Sequence, residues 1–265
     1  MTSQDDAAPI PASFDGARYV YGVLASEEVP KREARGLLGR AVRFLHRDGL
    51  AAAVTDVDGP VPGRREDLLA YFRVLEELAG GATVLPLRFG TVFDSDDEVV
   101  LELLVRRRAL LDRLLSELHG MVELSVRALY ERDLVLAEIL AERRDIRRLS
   151  ERTRGLPEEA VYFDRIRLGE LVAEALEGKR ERDAEDLIAR LARVAVAVER
   201  GTPATERGVL SASFLVSRDR VPAFEDVVGS LQSEMGKRMQ LRVTGPLPPY
   251  SFVSIIDDPV PAGDL

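Results

Sequence analysis

From Glu131 to Arg200 the chain reads as helix, and on both sides of that block it reads as strand. The 70 residues carry 17 acidic and 15 basic side chains, denser than the 31% charged of the whole chain. Apolar residues nevertheless recur at three- and four-residue steps, first at Leu134, Ile139, Leu140, Ile146 and Leu149, then at Leu168, Leu171, Val172, Leu187, Ile188, Leu191, Val194 and Val198. That period belongs to helices with one buried face. Just before the block, Met121–Tyr130 alternates, with Val122, Leu124, Val126 and Ala128 on one side and Glu123, Ser125 and Arg127 on the other, as in a half-buried strand. After it, Val209–Ser217 reads as a strand with a partner expected around Thr205. Val221–Lys237 reads as a helix with Phe224, Val227, Val228, Leu231 and Met235 inward, and Met239–Val243 as a last strand. Between Glu177 and Asp186 the apolar stripe gives way to EGKRERDAED, which predicts a solvated turn or projecting helical tip; a partner-binding tip is the sharper alternative.

Strand, helices, one or two strands, helix, strand is the order of a ferredoxin-like sandwich with an enlarged first helical connection. The N-terminal half predicts a second α+β domain. Arg18–Leu24 is a first strand, and a short helix is expected over Val29–Leu38. Val42–His46 and Leu50–Val57 read as a hairpin joined by Arg47-Asp48-Gly49, since Asp-Gly favours a two-residue turn. Arg64–Leu78 is a helix with Leu68, Phe72, Leu75 and Leu78 on one face, and Thr83–Phe89 is a strand interrupted by Pro86, hence an edge or bulge. Asp94–Glu98 caps a long helix whose leucines run from Val99 to Leu118. The fold class is therefore α+β in two domains: a disordered tail at 1–16, an N-terminal sheet-and-helix domain at 17–119, a modified ferredoxin-like domain at 120–254 with its helical segment at 131–200, and a flexible tail at 255–265. Neither half has the βαβ alternation of a doubly wound parallel sheet.

Composition excludes several kinds of chemistry. No cysteine is present, which removes disulfides, thiolate nucleophiles and cysteine metal sites. The two histidines, His46 and His119, share no metal-ligand spacing. No phosphate-binding glycine loop and no nucleophile elbow occurs. Paired acids such as Asp96-Asp97 fall where helix capping accounts for them. The net charge of –9 disfavours nucleic acid and anionic membranes, and the arginine runs at Arg106–Arg108 and Arg143–Arg148 sit among carboxylates. With no apolar run near the roughly 18 residues that span a bilayer, and an acidic start at Met1–Asp6, the expectation is a cytoplasmic protein with no catalytic site, no cofactor and no metal.

Two strings are specific. Val84–Phe93 reads VLPLRFGTVF and precedes the leucine helix; Thr244–Val253 reads TGPLPPYSFV and closes the last strand. With Gly120–Val126, Phe214–Val216 and the opening Tyr19–Val23, they resemble the GvpL/GvpF family of gas vesicle proteins from about Arg18 to Val253. One departure is Leu247, where the family pattern leads one to expect a larger aromatic residue. The resemblance implies an accessory or minor structural protein of gas vesicle assembly, located in the cytoplasm and at the gas vesicle. It implies binding to the hydrophobic shell protein GvpA and to other accessory Gvp proteins, possible chaperone-like protection of the shell subunit, and no enzymatic activity. Its motif residues, structural or partner-binding, are Pro86, Arg88, Phe89, Gly90, Glu123, Gly245, Pro246, Pro248, Pro249, Tyr250 and Phe252. Pro86 and Gly90 are expected to shape a strand end, Arg88 to pair with a carboxylate such as Glu123, and Tyr250 and Phe252 to pack. The alternative readings are an α+β module binding a small anion through arginines, and an enzyme using buried carboxylates.

Overall fold

The computed structural model describes residues 16–59 and 61–253. The expected tails lie outside that range except for Gly16. Contacts gather the chain into two compact units, one running to Glu117 and including Val253, the other spanning Leu118–Phe252.

The first unit is built on β1 (Ala17–Ala25), whose residues Arg18–Leu24 are all buried. A strand covered on both faces needs an unbroken apolar and aromatic run, which RYVYGVL supplies. β2 (Arg43–Arg47) and β3 (Leu50–Val57) form the expected hairpin. Asp48 and Gly49 both have positive φ, 47° and 87°, as a tight two-residue turn requires. The sheet is antiparallel in the order β2-β3-β1-β4, with β4 (Leu85–Pro86) and β5 (Val92–Phe93) both pairing with β1. The strand expected at Thr83–Phe89 is thus reduced to the two residues of β4, and β5 lies beyond its expected end.

Three further expectations differ in this unit. Val29–Leu38 is not a helix; it holds one tight turn at Leu37–Gly39 and a bridge between Arg35 and Ala41. Leu38 sits at φ 55°, outside helical space. α1 (Arg65–Ala79) buries Tyr71, Val74, Leu75 and Leu78, whereas Leu68 and Phe72 are exposed. Tyr71 turns inward because Tyr19 and Tyr21 of β1 receive its ring, with centroids 6.3 and 6.2 Å away. The leucine helix comes in three pieces: α2 (Asp96–Glu98), a π-helical stretch over Val99–Val105, and α3 (Arg108–Glu117). The wider turn is closed by the Arg106 N–H donating to the Leu101 carbonyl, five residues back.

The second unit holds β6 (Met121–Tyr130), α4 (Arg132–Glu142), α5 (Arg144–Thr153), α6 (Glu158–Leu191), β7 (Ala197–Arg200), β8 (Gly208–Ser217), α7 (Val221–Met235) and β9 (Met239–Leu247). Its antiparallel sheet runs β7-β8-β6-β9. The alternation of β6 is realised, with Val122, Leu124, Val126 and Ala128 buried. Leu124, Val126 and Ala128 share a core with Leu187 and Leu191 from α6, Phe224 and Leu231 from α7, and Phe214 from β8. Phe214 and Phe224 meet at a centroid distance of 5.3 Å, worth about 0.5–1.5 kcal/mol beyond their buried area.

Two expectations differ in this unit. The partner of β8 is Ala197–Arg200, and Thr205 lies in the turn between the two strands. The last strand does not stop at Val243 but continues through Pro246 to Leu247, opposite Glu123. β9 is an edge strand, so one side of its backbone has no ladder to satisfy and a proline there leaves no neighbour unpaired.

Candidate functional site

In the first unit the residues of the VLPLRFGTVF string form a turn held against β1. Pro86 pairs with Gly22, and the Leu87 N–H donates to the Tyr21 carbonyl at 2.9 Å. The chain then leaves the sheet. Thr91 donates to the Arg88 carbonyl through both its N–H (3.2 Å) and its hydroxyl (2.8 Å), Gly90 takes φ 91°, and the Gly90 N–H donates to the Tyr19 hydroxyl at 3.0 Å. Phe89 packs edge-on against Tyr19 and Tyr71, centroids 5.9 and 5.5 Å away. The Arg88 side chain is exposed. Pro86, Phe89 and Gly90 therefore shape one feature, a return loop pinned by the β1 tyrosines.

Ion pairs in this unit, centred on the buried Arg18, tie the sheet to the leucine helix. Arg18, almost fully buried, donates to Asp96 at 2.5 Å and lies 3.3 Å from Asp56. Arg43 reaches the same two carboxylates, each at 2.6 Å. Asp96, at the start of α2, is held below its usual pKa by the Arg43 hydrogen bond, with Arg18 adding to it. Deeper in, the Tyr21 hydroxyl donates to Thr55 at 3.0 Å and accepts from the Leu37 N–H at 2.8 Å; burial pushes its pKa up. A cleft of about 510 Å³ opens between α1 and the 30–35 segment, with Arg32, Arg35 and Arg73 on its wall. Glu33 and Glu77 share that wall, so the lining carries both signs and does not select an anion.

In the second unit the TGPLPPYSFV string closes over Glu123. This glutamate lies on the face of β6 opposite the core and is only 4% exposed. Its Oε1 accepts from the Ser213 hydroxyl of β8 at 2.7 Å and from the Ser251 hydroxyl at 2.8 Å; its Oε2 accepts from the Ser251 N–H at 2.7 Å. The two serine hydroxyls are 2.9 Å apart. Gly245 makes this approach possible. It sits at φ 138°, followed by a cis bond to Pro246, and a Cβ there would lie 2.7 Å from the Glu123 carbonyl oxygen. Pro248 and Pro249 are buried, Gly245 and Pro246 exposed, Phe252 half-buried, and Tyr250 leaves about a third of its surface in solvent. A carboxylate engaged in this way works as a clamp on the turn that follows β9. Ser213 and Ser251 were missed by sequence reasoning. The signal for them was Glu123 itself, one acid among flanking apolar residues, which on burial must find donors.

The EGKRERDAED stretch is neither a turn nor a tip. α6 passes through it unbroken, and its charges form a polar layer within the unit. Lys179 donates to Glu142 at 2.8 Å and lies 3.2 Å from Glu138 of α4. Burial opposes the ammonium charge, but the bonds to Glu142 and Glu138 outweigh it and its pKa is raised. Arg180 donates to the Glu206 carbonyl at 2.6 Å. Asp183 accepts from the Tyr130 hydroxyl at 2.5 Å and from Arg238, whose guanidinium also lies over the Tyr130 ring at 5.7 Å. Burial, reinforced by Asp183, raises the Tyr130 pKa. Ala184 and Leu187 remain fully buried beside these charges, so the helix keeps one core-facing edge throughout.

Among the described residues no group of three histidine, aspartate or glutamate side chains is placed to hold a metal, and no helix is long and apolar enough to cross a membrane.

Comparison with known proteins gives a consistent result. Residues 17–254 match the family described as gas vesicle synthesis protein GvpL/GvpF. Gas vesicle protein F of a Streptomyces species is 37% identical over 238 residues, covering 89% of this chain and 98% of that protein. Gas vesicle protein L2 of Halobacterium salinarum is 26% identical, covering 94% and 96%. The crystal structure of gas vesicle protein GvpF from Anabaena sp. PCC7120 superposes with a TM-score of 0.77 at 26% identity, over 91% of this chain and 99% of that one. The mixed helix-and-sheet architecture is thus that of a solved gas vesicle protein.

Proposed function

The chain belongs to the GvpL/GvpF family of gas vesicle synthesis proteins, and from that premise we propose that it is an accessory factor of gas vesicle assembly that works by binding the hydrophobic shell protein GvpA and other Gvp accessory proteins. The observation that carries this reading is the family match over residues 17–254. The site chemistry agrees with a binding role: Glu123, Asp96 and Asp183 are each engaged by hydroxyl or guanidinium groups of their own unit. The reading includes two domains, divided near residue 119. The second is a modified ferredoxin-like sandwich, supported by its sheet order β7-β8-β6-β9 and by α4, α5 and α6 filling the first crossover.

The N-terminal domain carries the shell-protein contact. α1 exposes Leu68, Leu69 and Phe72 on adjacent positions of its outer face. Such a stripe can receive an apolar helix face of a partner and keep it from aggregating. The net charge of –9 then keeps the complex in solution. Co-expression with the shell protein tests the proposal. The shell protein is expected to stay soluble and co-purify with the full chain, and Leu69→Glu with Phe72→Glu is expected to weaken retention about tenfold or more while leaving the circular dichroism unchanged. Retention by residues 120–265 alone would place the contact in the other domain, and no retention by the full chain would end the reading.

A further inference from the structure

The α5–α6 hairpin carries an exposed apolar surface that neither the fold nor the shell-protein contact uses. Phe163 is 82% exposed and Tyr162 55%, their rings edge to face at 5.4 Å; Ile166 is 46% exposed, and Leu156, in the turn leading into α6, 47%. Tyr162, Phe163 and Ile166 occupy one helical turn on one side of α6. Val161 is buried, and Leu168, Leu171 and Val172 pack against the unit's core or lie at its margin. α6 therefore has two apolar faces here and the unit covers one of them. Scattered exposed apolar residues need no explanation, but two touching aromatic rings with an isoleucine one turn on mark a contact surface.

The charge around this patch departs from that of the chain. Residues 143–167 hold eight arginines against five carboxylates, in a protein of net charge –9. Arg152 is paired with Asp164 and Arg167 with Glu170, while Arg154 and Arg165 make no ion pair among the described residues. We propose that the α5–α6 hairpin is a docking surface for a partner protein, which brings an amphipathic helix whose apolar stripe is bordered by aspartates and glutamates. The stripe covers Tyr162, Phe163 and Ile166, and its carboxylates meet Arg154 and Arg165. Tyrosine and arginine are the residue types that anchor protein contacts. A second copy docking through the same patch would set arginine against arginine.

A photo-cross-linking residue, p-benzoylphenylalanine, in place of Phe163 tests this in the full chain, expressed together with the other proteins of gas vesicle synthesis. The expected product is a cross-link to a different protein, mapped by mass spectrometry to a segment with apolar residues at three- and four-residue steps and an excess of Asp and Glu. Its yield is expected to fall about tenfold in Arg154→Glu with Arg165→Glu, and to fall as ionic strength is raised from about 0.05 to 0.5 M. Circular dichroism of the charge-reversed chain checks that it is folded, and Arg154→Ala with Arg165→Ala gives the same comparison if the reversal is not tolerated. Leu69→Glu, on the α1 stripe, is expected to leave the cross-link intact, which separates this surface from the shell-protein contact. Cross-linking to a second copy, to lipid, to a segment without acidic excess, or to nothing overturns the proposal, as does a yield insensitive to both charge and salt.

Discussion

Gly245 and Asp96 show how single residues hold each unit. At Gly245 a left-handed backbone and a carbonyl 2.7 Å from the Cβ position leave room for no side chain. Gly245→Ala is expected to destabilise the protein by about 1–3 kcal/mol and to loosen the turn holding Ser251, seen as a lower denaturant midpoint and faster amide exchange at Ser251. Asp96 supplies a pH dependence with a definite sign. Arg43, then Arg18, lowers its folded pKa below the unfolded value of about 3.9, so the unfolded chain takes up the proton first. The resulting stability is fully present above that value and is lost as pH falls through the folded pKa. Asp96→Asn should therefore cost stability at pH 7 and flatten the decline of unfolding free energy below about pH 4. An unchanged acid limb in denaturant titrations would show that Asp96 is not its source.

Elements were legible where one short-range pattern settles them. β6 alternates, β2 and β3 flank Asp-Gly, and α7 has a clean stripe, and each formed within a residue or two of the bounds read, although Glu123 on the polar side of β6 is buried. The misreadings arose where a distant partner decides. The face of α1 rotated because two tyrosines of β1 accept Tyr71, which its own spacing cannot reveal. The polar stretch of α6 looked solvated because the groups that engage it, Tyr130, Glu138 and Arg238, are about 40–60 residues away in the chain. Of the closing segment, the residues were legible and their function as a lid on Glu123 was not, since Ser251 is 128 positions from Glu123. The α6 layer also yields a prediction. Asp183→Ala takes one of the two carboxylates from Arg238, which keeps Glu138 at 3.2 Å, and removes the acceptor of the Tyr130 hydroxyl, and should cost about 1–3 kcal/mol, reduced by partial solvent access. Replacing both partners, Asp183→Leu with Arg238→Met, should cost less than the single change, because no guanidinium is left short of a carboxylate and Glu138 keeps Lys179 at 3.2 Å. A double variant less stable than Asp183→Ala in urea titration would contradict this.

At the scale of the whole molecule the two units carry separate cores, one around Tyr19, Tyr21 and Tyr71 and one around Phe214, Phe224 and Leu187. Calorimetry of the full chain is expected to resolve two transitions. Leu187→Ala, which empties a fully buried site in the second core at a cost of about 2–5 kcal/mol, should move one of them and leave the other in place. A single transition shifting as a whole would show that the units melt together. The clamp on Glu123 also sets a clock. β6 is the first strand of its unit to be made, yet its neighbours in the sheet are β8 and β9, and Ser251 follows Glu123 by 128 residues. At synthesis rates of about 5–20 residues per second, roughly 6–25 s separate that glutamate from its last hydrogen-bond donor. Until β8 is made a nascent chain presents two unpaired edges of β6, and until β9 follows it presents one, so any slowing of the ribosome beyond residue 130 lengthens the exposure by the same amount.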